Sequence, residues 1–274
     1  MPETPETQIQ TLPRSSNPLK RALDDVAESF GAGARESFER IGSMSILLFK
    51  SMFRRQKYEF IMEQMVLIGV KSLPIVLLAS MFTGFITTWQ VKYLAGDIFG
   101  MRYLGTLVIR VVLTELGPTL IGLVLAGRIA AKVAAEVGTM KVTEQIDAMT
   151  CLSLDPVSYI ISPRVIAGFI MVPVLFVIGC VAAILSAQIL GTLALGVPVV
   201  TFYNSMKLLF EVRDVVIGLF KSFTFGGIIA LSGCYFGYNT SGGAVGVGQA
   251  VRKAVVASSI LILIFNLIIS QLLV

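Results

Sequence analysis

The sequence predicts an all-α, polytopic membrane protein with an N-terminal interfacial amphipathic helix and about five transmembrane helices. Three observations lead there. Charged residues make up only 14% of the 274 residues and hydrophobic ones 55%, against roughly a quarter charged in an ordinary soluble domain. The deficit is concentrated: the 42 residues from Val165 to Met206 and the 21 from Ala254 to Val274 carry no charge, and about 20 mainly apolar residues suffice for a helix to cross the hydrocarbon core. Finally, Lys and Arg gather in alternate connections, as they do in polytopic proteins.

The elements follow in order. Residues 1–35 are polar, contain Pro2, Pro5, Pro13 and Pro18, and lack the apolar run of a signal peptide, so a disordered extension is expected. Glu36–Lys57 places Ile41, Met44, Leu48 and Met52 at helical spacing, flanked by Arg40, Lys50, Arg54, Arg55 and Lys57. Too short to span, it reads as a helix in the headgroup layer or one packed on a cytosolic partner. Five spans follow, at about 65–91, 104–127, 165–195, 215–238 and 254–274. The second contains Arg110, Glu115 and the pair Gly117-Pro118. It is expected to be broken or partly re-entrant, which requires cover from protein or water.

Fifteen Lys and Arg fall on the side of the N-terminus, second loop and fourth loop, and five on the other. That bias puts the N-terminus in the cytoplasm.

The composition limits the chemistry. With no histidine there is no Ser-His-Asp triad and no HExxH zinc site. No G-x-x-x-x-G-K-[ST] is present, so the chain has no P-loop to bind ATP. Cys151, Cys180 and Cys234 are widely spaced and read as small apolar side chains. The glycine-rich run Ser241–Gly248 follows no predicted strand and reads as a flexible loop, not a nucleotide cradle.

Lys71 and Lys221 lie about two turns inside their spans, where a lysine can snorkel to the interface. Glu115 is costly in hydrocarbon and should face a cavity, a partner subunit or water. Five residues from Arg110, it is not on the same helical face, so a salt bridge between them is not expected. A proton-coupled transporter would need further acids, and spans three to five have none. Ala79, Thr83, Gly84, Gly226, Gly227, Ala230 and Gly233 permit close helix packing, within one chain or between two. Leu78, Phe82 and Phe85 form one apolar stripe, suited to lining a cavity, to packing or to facing lipid.

The second loop, Arg128–Arg164, carries two apolar stripes, Val133/Val137/Met140 and Val142/Ile146/Met149, offset after Gly138. A bent amphipathic helix of this kind can dock in a partner's groove or lie on the membrane.

The motifs Glu115-Leu-Gly-Pro118, Ala126-Gly-Arg128, Ala135-Glu-Val-Gly138, Met140, Thr143-Glu-Gln145, Asp155-Pro156 and Pro163-Arg164 resemble the MlaE-type permease. So do Lys221-Ser222, Phe225-Gly226, Gly237-Tyr238 and Gly242-Gly243-Ala244. That permease is a subunit of Mce-associated ABC lipid transporters and includes plastid TGD1-like proteins. The resemblance covers about residues 40–274, within a permease domain at 36–274. It implies a non-enzymatic transport subunit for phospholipid or a related lipid. It also implies a homodimer, two cytoplasmic ABC ATPase subunits, an Mce-domain protein on the far side and no nucleic acid. No cofactor belongs to this chain; ATP and Mg are bound by the ATPase. The implied ATPase-coupling residues are Glu136, Gly138, Met140, Lys141, Glu144, Gln145, Asp147 and Met149. Leu78, Phe82, Phe85, Glu115, Gly117 and Pro118 are candidates for a lipid cavity. The absence of an obvious transit peptide favours a bacterial inner membrane over a plastid inner envelope. The rival readings are an ion-coupled secondary transporter and a structural membrane scaffold.

Overall fold

The computed structural model describes Gly42, Met44, residues 58–99, 103–208 and 210–273, with backbone alone for 95–99. The expected extension 1–35 lies outside these residues, as does the interfacial helix 36–57 apart from Gly42 and Met44, which are helical. The chain divides into Met1–Ile46 and Leu47–Val274; the architecture below belongs to the second unit.

All regular structure among the described residues is helical. The α-helices are α1 (Tyr58–Ile68), α2 (Leu73–Phe99), α3 (Leu104–Val111), α4 (Gly117–Leu125), α5 (Ala131–Val142), α6 (Gln145–Cys151), α7 (Ser162–Leu193), α8 (Val199–Leu208), α9 (Val212–Tyr238) and α10 (Gly243–Leu273). They make five stretches long and apolar enough to cross a membrane: Tyr58–Leu94, Leu104–Val142, Val157–Leu193, Val212–Tyr238 and Gly243–Leu273. The expected number of spans is therefore found.

The spans run beyond several of their expected bounds, and three differences have a clear physical reason. The second span is not broken at Gly117-Pro118. It passes through two π-helical turns, Val112–Leu116 and Ala126–Ala130, which absorb the irregularity. It then continues as α5 to Val142, where a connection from residue 128 carrying a separate bent amphipathic helix was expected. Lys132 and Glu136 lower the mean hydropathy there, but Val133, Ala134, Val137 and Gly138 are buried. They meet glycines of α9: a Cβ at Gly237 would stand 2.8 Å from Val137 Cβ and 3.0 Å from the Ala134 carbonyl. The glycine-rich run is likewise not a flexible loop. Gly242 and Gly243 take positive φ, of 88° and 67°, and turn the chain directly into α10.

Small residues set how closely the spans approach. On α2, Val76, Ser80, Thr83, Gly84, Thr87 and Thr88 are buried, and the helix packs along α7. The Ser186 hydroxyl donates to the Met81 carbonyl at 2.9 Å. At the crossing of α7 and α9, a Cβ on Gly168 would come within 2.7 Å of the Gly226 carbonyl. These contacts are all within one chain. They answer, for Thr83, Gly84, Gly226, Ala230 and Gly233, which packing the small residues serve.

Candidate functional site

Two clusters and one surface carry the chemistry. The first cluster lies within the spans. Lys221 of α9 is fully buried and does not snorkel. Its Nζ donates to Glu115 Oε1 at 2.8 Å, to the Thr114 carbonyl at 2.8 Å and to Ser270 Oγ at 2.7 Å, so all three N–H bonds are used. Asn266 Nδ2 of α10 donates to the other Glu115 oxygen at 3.1 Å. Ser270 Oγ also lies 2.7 Å from Glu115 Oε1.

Local sequence explains this geometry. Thr114 lies four residues before Pro118, which has no N–H to return to it in α-helical pairing. The lysine ammonium supplies a donor to that carbonyl. The π-helical turn Val112–Leu116 carries Glu115, and such turns recur at functional sites. Arg110 indeed does not pair with Glu115; it lies 3.7 Å from Asp214. Asp214 falls within the fourth span because α9 begins at Val212.

Glu115 retains a 40% exposed side chain in the isolated chain, although Lys221 behind it has no exposure. The cluster thus presents a carboxylate on the molecular surface at membrane depth. Gly117 and Pro118, expected beside it, are buried instead. Gly117 faces Cys180 and Phe176 of α7.

The second cluster is an elbow at the end of α5. The bend is at Thr143-Glu144, not at Gly138. Glu144 has φ 60°, a left-handed conformation rare for a non-glycine residue, and the short α6 starts directly after it. Lys141 Nζ reaches both Asp147 carboxylate oxygens, at 2.7 and 3.0 Å, and braces the two arms. Glu144, Gln145 and Asp147 are exposed; Met140, Lys141 and Met149 are half-buried. Of the expected stripes, Val133, Val137 and Ile146 turn into the protein. Gly138 is buried under Thr240 and Val247. Glu136 also turns inward, its Oε2 accepting from Arg164 at 3.2 Å. A second left-handed residue, Ser153 at φ 58°, follows α6.

The surface is the outer face of α2. Leu78 and Phe82 are exposed and Phe85 half-exposed, with Ile75, Met81, Ile86 and Trp89 exposed on the same helix. The Glu115–Lys221 pairing, 106 residues apart, had no signal in local sequence beyond two unexplained charges within spans.

The chain matches the family model described as Permease MlaE over residues 61–272. It is 39% identical over 255 residues to a probable ABC transporter permease protein of Rickettsia conorii, covering 91% of this chain and 98% of that one. A probable ABC transporter permease protein of Synechocystis is 37% identical over 211 residues, 77% of this chain and 80% of the other. Protein TRIGALACTOSYLDIACYLGLYCEROL 1, chloroplastic, of Arabidopsis thaliana is 34% identical over 210 residues, 77% of this chain and 60% of its own length. The motifs, the five spans and these matches agree: the chain belongs to the MlaE family of ABC transporter permeases.

Proposed function

We propose that this permease moves phospholipid or a related lipid between membranes, driven by a separate ATPase and exchanging lipid with an Mce-domain protein on the far side. It works as a homodimer in the bacterial inner membrane with its N-terminus in the cytoplasm. ATP and Mg belong to two ATPase subunits, and the charge bias of the connections supports their side as cytoplasmic.

The observation that carries the reading is the elbow. It is a braced, left-handed bend that offers Glu144 and Gln145 to solvent at the end of a span in a chain with no P-loop. Met140, Lys141, Asp147 and Met149 complete the docking surface. A short helix held at a fixed angle suits insertion into a groove on a partner. Lipid as cargo is supported by the name of the Arabidopsis relative, which contains that of a lipid, and by the apolar face of α2.

In this mechanism the α2 faces of two copies bound an apolar cavity. Leu78, Phe82 and Phe85 receive acyl chains, while the Glu115 carboxylate sits where a polar headgroup can meet it. Closure of the ATPases moves the elbows, the cavity narrows and lipid passes to or from the far-side partner.

The rival secondary transporter fits less well. Glu115 and Asp214, two acids within the candidate spans, each face a basic partner instead of each other. The test is mass spectrometry of lipid bound to the assembled complex. Copurification of phospholipid, lost when Leu78 and Phe82 are changed to Asp, is expected. A complex that carries no lipid would contradict the reading.

A further inference from the structure

Arg164 is a charged residue buried to 6% exposure at the start of α7. Its Nη1 donates to the Ile160 carbonyl at 2.8 Å and its Nη2 to Glu136 Oε2 at 3.2 Å. It thereby ties the π-helical turn Val157–Ile161 and α7 to α5, 28 residues earlier in the chain. The two helices have little other direct contact: α5 packs on α9 and α10, and α7 on α2 and α9. Lys132 lies 3.6 Å from the other Glu136 oxygen but belongs to α5 itself, so it ties nothing across.

We propose that the Glu136–Arg164 pair is the link by which movement of the docking elbow reaches the third span. Glu136, expected among the ATPase-coupling residues, turns inward to Arg164, and both act here as positioning residues. The route is continuous. The Lys141–Asp147 brace makes α6 move with α5. Glu136, two turns before the bend, passes that movement to Arg164. α7 then carries it to α2 through the contacts of Gly84 with Ala183 and of Ser186 with Met81. α2 bears the Leu78/Phe82/Phe85 stripe. A buried pair replaced by apolar residues often costs little stability, so stability alone does not call for charges here. A charge-assisted hydrogen bond to Glu136, made by a guanidinium itself anchored on the Ile160 carbonyl, holds the two helices at a fixed spacing. The inference rests on the functional reading above.

The test uses the complete transporter, permease with its ATPase, in phospholipid vesicles. Glu136→Gln is expected to lose at least fivefold of the stimulation by lipid, measured against its own basal ATP hydrolysis. Lys132→Gln, which disturbs the same carboxylate without the cross-helix tie, should remain close to wild type. Wild-type stimulation in Glu136→Gln, or an equal loss in both variants, would overturn the link. If Glu136→Gln does not assemble, spin labels at positions 139 and 170 decide, in a chain with Cys151→Ser and the pair intact. A distance unchanged by ATP supports the link and a changed one overturns it. A wild-type complex that lipid does not stimulate would overturn the functional reading, and the link with it.

Discussion

At the scale of single residues, the buried charges Lys221, Arg164 and Asp214 each face an opposite charge. Lys221 buried without Glu115 would leave an ammonium in an apolar surround. Loss of Lys221 would leave a carboxylate at membrane depth with only Asn266 and Ser270. Lys221→Met should therefore destabilise the protein by about 2 kcal/mol, below the 3–5 kcal/mol typical of a fully buried pair because Glu115 is partly exposed. Adding Glu115→Gln should recover part of that loss. Thermal unfolding of the two single variants and the double variant gives the coupling; strict additivity would show that the pair does not act as one. Glu144 separates conformation from charge. Glu144→Gly relieves the left-handed backbone and should stabilise by up to about 1 kcal/mol. Glu144→Arg should leave the fold intact but weaken capture of the ATPase, and unchanged capture would remove Glu144 from the docking surface. The sequence marked Glu115 and Lys221 as anomalous but not as partners, because the contact joins positions 106 residues apart and has no periodicity to betray it.

At the scale of elements, apolar length made the five spans legible, and close glycine contacts decided what length alone left open. The helical patterning of α5 was legible, but its continuity with the second span was not, because Lys132 and Glu136 end the run of hydrophobic residues. Its Val133/Val137 stripe meets Gly233 and Gly237 of α9, a pairing that no local pattern signals. The start of α10 was hidden because its glycines resemble a flexible segment, whereas two of them serve the turn. Gly237→Val tests the first point. A Cβ there already crowds Val137 and Ala134, and overpacking costs about 1–3 kcal/mol. The expected result is a lower melting temperature in detergent and weaker capture of the ATPase, because α5 holds the elbow. Gly127→Ala, where a Cβ meets nothing within 4 Å, is the control and should leave both unchanged.

At the scale of the whole molecule, the opposed ends of the spans have different work. One end carries the elbow; the middle carries the ion pair and the apolar face of α2. Orientation can be read from a native thiol. Cys151, at the end of α6, is exposed, while Cys180 and Cys234 are buried. A membrane-impermeant maleimide should label Cys151 in inverted vesicles and leave it unlabelled in intact spheroplasts; the reverse pattern would invert the topology. The central claim, that this permease couples a separate ATPase to lipid movement, is tested most directly by transfer between membranes. Permease, ATPase and Mce-domain protein are reconstituted in donor vesicles containing a labelled phospholipid, and its appearance in acceptor vesicles is followed with and without ATP. The account predicts transfer that requires ATP hydrolysis and is abolished by Glu144→Arg. Transfer at the same rate without ATP, or no transfer by a complex that hydrolyses ATP, would contradict it.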